Sequence, residues 1–174
     1  KSSYSYDALS RMTSATCNGV TTRYTYDAQH RRIRKQSETE ASSYLYQGDN
    51  EIGAYRNDSL AEFRVLGASY GGEIAGAVAI ELNGTIYQPV HDLSGNLVQL
   101  TNLTANQTTT TQFTAFGESD TLSESPWLYS SKRFDPETGF YYFGRRYLDP
   151  QIGRWISQDP LGYADGLNLY AYVH

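Results

Sequence analysis

Residues 4–11, Tyr-Ser-Tyr-Asp-Ala-Leu-Ser-Arg, return at residues 24–31 as Tyr-Thr-Tyr-Asp-Ala-Gln-His-Arg. Five of the eight positions are identical at one fixed offset: Tyr4 returns as Tyr24, Tyr6 as Tyr26, Asp7 as Asp27, Ala8 as Ala28 and Arg11 as Arg31. A third copy, Tyr44-Leu45-Tyr46-Gln47-Gly48, begins at the next step of the same period and has lost its Asp. Tyr-x-Tyr alternates with period two, which puts both rings on one face of a strand. Asp-Ala-x-x-Arg supplies a turn, because an Asp side chain can accept the backbone N–H groups just after it. The residues after each Arg return as the partner strand. Two strands of about six residues plus their turns fill such a repeat. A lone hairpin is marginal in water, so successive hairpins are expected to stack into one continuous sheet. Stacking aligns the tyrosines into ladders, whose cross-strand contacts contribute a few tenths to about 1 kcal/mol each.

Composition points the same way. The chain of 174 residues has 16 Tyr against 6 Phe, and only 5 Pro. Tyr and Thr suit a pleated, half-buried surface. No helical apolar stripe is sustained between Lys1 and Asp120, so long helices are not expected. Net charge is −5, from 14 Lys+Arg and 19 Asp+Glu. That balance weighs against nucleic acid as a partner, since phosphate tracking rests on clustered cations. The single cysteine, Cys17, makes no internal disulfide and no multi-cysteine zinc site. No apolar run approaches the roughly 20 residues of a membrane-spanning helix. No Gly-rich phosphate loop or H-E-x-x-H motif occurs, and no cofactor or metal is expected. The chain opens at Lys1 inside a repeat and is read as a piece of a larger protein.

Residues 51–130 continue as short strand-like runs broken by turn signals. Glu62–Leu66, Glu73–Ile80 and Thr85–Val90 are such runs, and Asn83-Gly84 between the last two is a strong hairpin signal. Ser94-Gly95-Asn96 separates His91-Asp92 from Leu97–Leu100 in the same way. His91 reads as a buried or turn histidine. The Thr-rich tract Thr104–Thr111 is compatible with an exposed strand or a loop. Asn57, Asn83, Asn102 and Asn106 head N-x-S/T triplets, unremarkable in a Ser/Thr-rich chain.

Three Asp-Pro dipeptides mark the C-terminal part of the chain: Asp135-Pro136, Asp149-Pro150 and Asp159-Pro160. The first two run into PETG and PQIG, the chemistry of tight turns. Arg146, Asp159 and Asp165 are close in sequence. A guanidinium lowers the pKa of a neighbouring carboxyl, and a second carboxylate raises one of a pair. Two carboxylates sharing one proton can do acid–base hydrolysis of the aspartyl type.

The stretch from Arg133 to Val173 resembles the Rhs repeat-associated core, the C-terminal module of bacterial Rhs and YD-repeat proteins, including the C component of insecticidal Tc toxin complexes. The Tyr-x-Tyr-Asp copies are similar to YD repeats of that family. Gln88–Asn96 looks like its HD-x-x-G hairpin, and Phe113–Glu118 like its Y-x-P-F-G-E hairpin. The resemblance implies an all-β fold of stacked hairpins in a curved spiral sheet, part of a hollow shell. Residues 1–50 would be YD hairpins, 51–130 continuing shell, and 131–174 a core with an irregular plug from about Ser157. A short helical turn is expected at Asn168–Tyr172. The resemblance further implies a shell that encloses a C-terminal effector of the same polypeptide, and an aspartyl autoprotease that severs it. Carried over, the catalytic positions fall on Arg146, Asp159 and Asp165, and the scissile bond falls beyond His174. Such proteins are bacterial and secreted or held at the cell surface. The alternative is a non-enzymatic adhesion or carbohydrate-binding module, as in cell-surface YD-repeat proteins. A filament built from open sheet edges is a third reading.

Overall fold

The computed structural model describes residues 2–67, 76–121, 123–159, 162 and 167–172. Among these residues eleven strands form one antiparallel sheet in chain order. They are β1 (Ser3–Tyr6), β2 (Met12–Cys17), β3 (Val20–Tyr26), β4 (Arg32–Gln36), β5 (Ala41–Gln47) and β6 (Asn50–Arg56). The sheet continues through β7 (Ser59–Leu66), β8 (Ala77–Leu82), β9 (Thr85–His91), β10 (Leu97–Asn102) and β11 (Gln107–Thr110). The Thr-rich tract therefore ends the sheet as an edge strand, β11, paired only with β10. The expected all-β architecture of consecutive hairpins is what the chain adopts.

The repeat is visible bond by bond. Asp7 Oδ1 accepts the N–H groups of Leu9 and Arg11, and Asp27 Oδ1 accepts those of Gln29 and Arg31. Each Asp also binds the Arg four residues on, at 2.7 Å in both copies. Arg11 and Arg31 then lie over Tyr26 and Tyr46 of the following repeat, 5.0 and 5.1 Å from the ring centres. Those two tyrosines donate to the carbonyls of Met12 and Arg32, equivalent positions of successive repeats. Each repeat is thus fastened to the next by a cation–π contact, a tyrosine hydroxyl bond and a bond from the same arginine's Nη1 to a carbonyl of the next turn, Asp27 O at 3.4 Å and Gly48 O at 2.8 Å. The Asn83-Gly84 turn holds both residues at positive φ (49° and 80°), the conformation a two-residue hairpin of this type requires.

Four shorter strands form a second antiparallel sheet: β12 (Arg133–Asp135), β13 (Phe140–Tyr142), β14 (Tyr147–Asp149) and β15 (Arg154–Trp155). Both of its faces are covered. Phe140, Tyr142 and Tyr147 pack with Met12, Ala15 and Tyr24 of the first hairpins. Tyr141, Leu148 and Trp155, on the alternate positions, pack with Ile80, Leu97 and Leu100. A strand buried on both sides has no polar alternation, which is the reading of the run Phe140-Tyr141-Tyr142. Eleven strands span about 48 Å and four about 14 Å at the usual strand spacing. Contacts from β2 through β10 onto so small a sheet require the large sheet to curve around it.

The last strand ends at Trp155, and the described residues from Ser157 on form no strand, as expected of an irregular plug. The helical turn expected at Asn168–Tyr172 is a correction. Ala171 closes a single turn onto the Asn168 carbonyl and then bridges to Arg154. The Asn168 side chain accepts the Tyr170 N–H at 3.1 Å, which satisfies that group without a helix.

Candidate functional site

Asp159 opens the same kind of turn as the repeats do. Ser10, His30, Gly95, Gly117 and Gly162 each stand three residues after a turn-opening Asp or Thr. Each donates its N–H to that residue's carbonyl at 3.0–3.1 Å, and each has positive φ. In the repeats the Asp takes the arginine four residues on. Asp159 takes one from 13 residues upstream: Arg146 Nη1 donates to its Oδ2 at 2.6 Å. Arg146 follows the Gly144 bend that joins β13 to β14, and its guanidinium lies 4.2 Å from the Trp155 ring centre. The Trp155 ring is held edge-on by Phe143 and Tyr172, at 5.2 and 5.1 Å. Asp159 is fixed from its backbone too, its N–H donating to Leu169 O at 3.0 Å.

The structure thus brings Arg146 and Asp159 together. Asp165 lies outside the described residues. Asp149 is a turn former, accepting the Gln151 N–H at 2.9 Å. Asp135 has a structural role taken up below. The pattern Gly67-Ala68-Ser69-Tyr70-Gly71 matches G-x-S-x-G, and residues 68–71 lie outside the described residues. Among the described residues no group of three or more His, Cys, Asp or Glu side chains is arranged to hold a metal ion.

Arg146, Asp159 and Trp155 line a cavity of about 900 Å³ between the inner face of the large sheet and the second sheet. Six cationic side chains (Arg31, Arg64, Lys132, Arg133, Arg145, Arg146) line it against three acidic ones (Asp49, Glu51, Asp159). Arg133 is fully committed: its Nε donates to Glu51 at 2.6 Å and its Nη2 to Glu62. Burial raises the Glu62 carboxyl, but Arg133 and then Arg56 hold it below the ordinary carboxylate value. Arg64 is held differently, by the carbonyls of Glu51 and Ser131 at 2.8 and 3.0 Å and by the Trp127 ring at 4.7 Å. Burial pushes its guanidinium down to about 10, so it remains a cation at neutral pH. Sequence reading passed over Arg64, Trp127 and Arg133, because the β6–β7 hairpin and residues 127–133 meet only in the folded chain. The Arg146–Asp159 pair had a local signal, the Asp-Pro-x-Gly turn.

The sequence profile of the family described as Teneurin YD-shell matches residues 1–172. The tRNA3(Ser)-specific nuclease WapA of Bacillus spizizenii is 28% identical over 99% of this chain, which covers 8% of that protein. The toxin subunit YenC2 of Yersinia entomophaga is 58% identical over 26% of this chain, covering 4% of its own length. The crystal structure of TcdB2-TccC3 without its hypervariable C-terminal region superposes with a TM-score of 0.71. That match is 21% identical and covers 99% of this chain and 9% of the other. The chain spans less than a tenth of the length of each of these relatives.

Proposed function

Because this chain belongs to the teneurin YD-shell family, we propose that it is a wall segment of a secreted or surface-held bacterial toxin shell that encloses an effector carried on the same polypeptide. In this reading Arg146, Asp159 and Asp165 are the residues of a self-cleaving aspartyl site. The two carboxylates share one proton: one takes a proton from the attacking water, whose oxygen bonds to the peptide carbon. The other protonates the departing amine as the C–N bond breaks. Arg146 orients Asp159 and acts through it. The observation that carries the reading is the 2.6 Å contact between Arg146 and Asp159 on the wall of a cavity large enough for a peptide. The names of the relatives, a nuclease and a toxin subunit, support the toxin context.

The test is a chain carried past His174 through the next Asp-Pro-x-Gly. The unaltered sequence is expected to yield two fragments, and Asp159→Asn and Arg146→Ala one intact chain. Equal cleavage in all three would sink the assignment. Asp-Pro bonds are acid-labile, so the comparison belongs at neutral pH.

The adhesion reading draws less support. A sugar platform needs ring faces turned outward. The repeat rings Tyr24 and Tyr44 are instead buried, and Tyr26 half-buried, facing the second sheet.

A further inference from the structure

Arg64 stands out among the buried cations. Its residue is 5% exposed. Arg32, Arg133 and Arg146 all meet carboxylates within ion-pair distance, whereas among the described residues Arg64 meets none. Its Nε and Nη1 are spent on the backbone carbonyls of Glu51 and Ser131. Among the described residues its Nη2 has no hydrogen-bond partner, and the residue lines the cavity. Two neutral acceptors and the face of Trp127 fix the plane of the fork, leaving Nη2 uncommitted among the described residues. Its nearest opposite charge, Glu51, is already bonded to Arg133, and Arg133 itself repels the Arg64 guanidinium; a buried cation with no ion pair of its own is costly. Both terms are relieved by an anion delivered into the cavity.

We infer that Arg64 anchors a carboxylate-binding subsite that takes an acidic side chain of a peptide lying in this cavity. The inference rests on the reading of the cavity as a peptide site and deepens it by naming the substrate's chemistry. A carboxylate can accept from a guanidinium edge in-plane, as a point cation would not require. Arg145, exposed at the cavity's border, adds long-range attraction without fixing geometry. The occupant is therefore an acidic peptide rather than an apolar one.

The cavity carries its own reporter, since both tryptophans of the chain, Trp127 and Trp155, line it. The 174-residue chain is titrated with a blocked tetrapeptide bearing one central Glu, and with its Gln counterpart, following tryptophan fluorescence. The expected result is saturable binding of the Glu peptide, at least tenfold weaker for the Gln peptide and at least tenfold weaker again for the Glu peptide on Arg64→Met. Equal affinity for the two peptides overturns the inference, as does unchanged Glu-peptide affinity in a folded Arg64→Met. Should that variant fail to fold, the Glu-against-Gln comparison on the unaltered chain still decides. Failure of the Glu peptide to bind, beside self-cleavage of the extended chain, removes the subsite and leaves the cleavage reading standing. Selective binding with no self-cleavage does the reverse.

Discussion

Arg32 and Asp135 are both wholly shut off from solvent, and both terminal guanidinium nitrogens, Nη1 and Nη2, donate to the carboxylate. Arg32 occupies the place in the second repeat that Met12 holds in the first. A cation replaces an apolar side chain at a core position, so the fold must supply a counter-charge. It comes from β12, and four tyrosine rings (Tyr24, Tyr44, Tyr142, Tyr147) surround the guanidinium at 4.3–5.7 Å. Asp135→Asn alone is expected to cost about 3–5 kcal/mol, because it strands a buried cation. Arg32→Met with Asp135→Asn is expected to recover more than half of that loss, since it restores the first repeat's chemistry. Chemical denaturation of the single and double variants measures both. The same pair sets the acid limit. Burial raises the Asp135 carboxyl, but Arg32 and then Lys35 hold it below its ordinary value. A carboxyl depressed in the folded state contributes stability in full above its unfolded value. That contribution is lost as pH falls through the folded one. Glu62 acts in the same direction. Denaturation midpoints are therefore expected to be level from pH 7 to about 5 and to drop below about 4; a level profile down to pH 3 contradicts it.

The turn is the element on which the repeat depends. Asp27→Ala removes the acceptor for two N–H groups, both at 2.9 Å, and the ion pair to Arg31. The site is partly exposed, so a loss of about 1–2 kcal/mol is expected, most of it from the two backbone bonds rather than the ion pair. Three residues into the same turn, Ser10 has φ 59° where three other turns use glycine (Gly95, Gly117, Gly162). Ser10→Gly is expected to stabilise by up to about 1 kcal/mol, the relief of left-handed backbone exceeding the entropy that glycine adds to the unfolded chain. Thermal melts of the two variants should move in opposite directions. These turns explain how much of the fold was legible. Tyr-x-Tyr and Asp-x-x-x-Arg carry period, face and turn within eight residues, so the first sheet could be read locally. The second sheet could not. Its strands are two or three residues long, too short for a period to show, and their aromatic residues alternate between two buried faces. The site divides along the same line. Arg146 and Asp159 lie on either side of one bend-and-strand unit with an Asp-Pro-x-Gly turn to mark it. Arg64, by contrast, acquires its meaning from Trp127 and Ser131, which lie past the last strand of the first sheet in the chain.

At the scale of the molecule, each sheet supplies the other's missing face. The inner surface of the first sheet ends in tyrosines and a buried arginine that only the second sheet covers. A chain stopped at Thr111 is accordingly expected to lose cooperative unfolding by circular dichroism and to associate, since its aromatic face is left bare. The tyrosine interface also sets an alkaline limit. Burial raises Tyr24 and Tyr147, with the Asp135 carboxylate raising both further, and it pushes Tyr26 up to about 12. A group whose folded pKa is raised holds its proton more tightly in the folded state. Its stabilisation is complete below the ordinary phenol value, about 10, and is lost as pH rises through the folded value. Denaturation midpoints should be level between pH 7 and 9 and fall steeply from about 10 to 12. Because the rings from both sheets meet at one interface, phenolate cannot form there while the sheets stay packed. Absorbance at 295 nm and far-ultraviolet circular dichroism should then change in a single step over that window. Phenolate formation by all the tyrosines with the sheet signal intact would contradict the packing, because it would mean that water already reaches the rings between the two sheets.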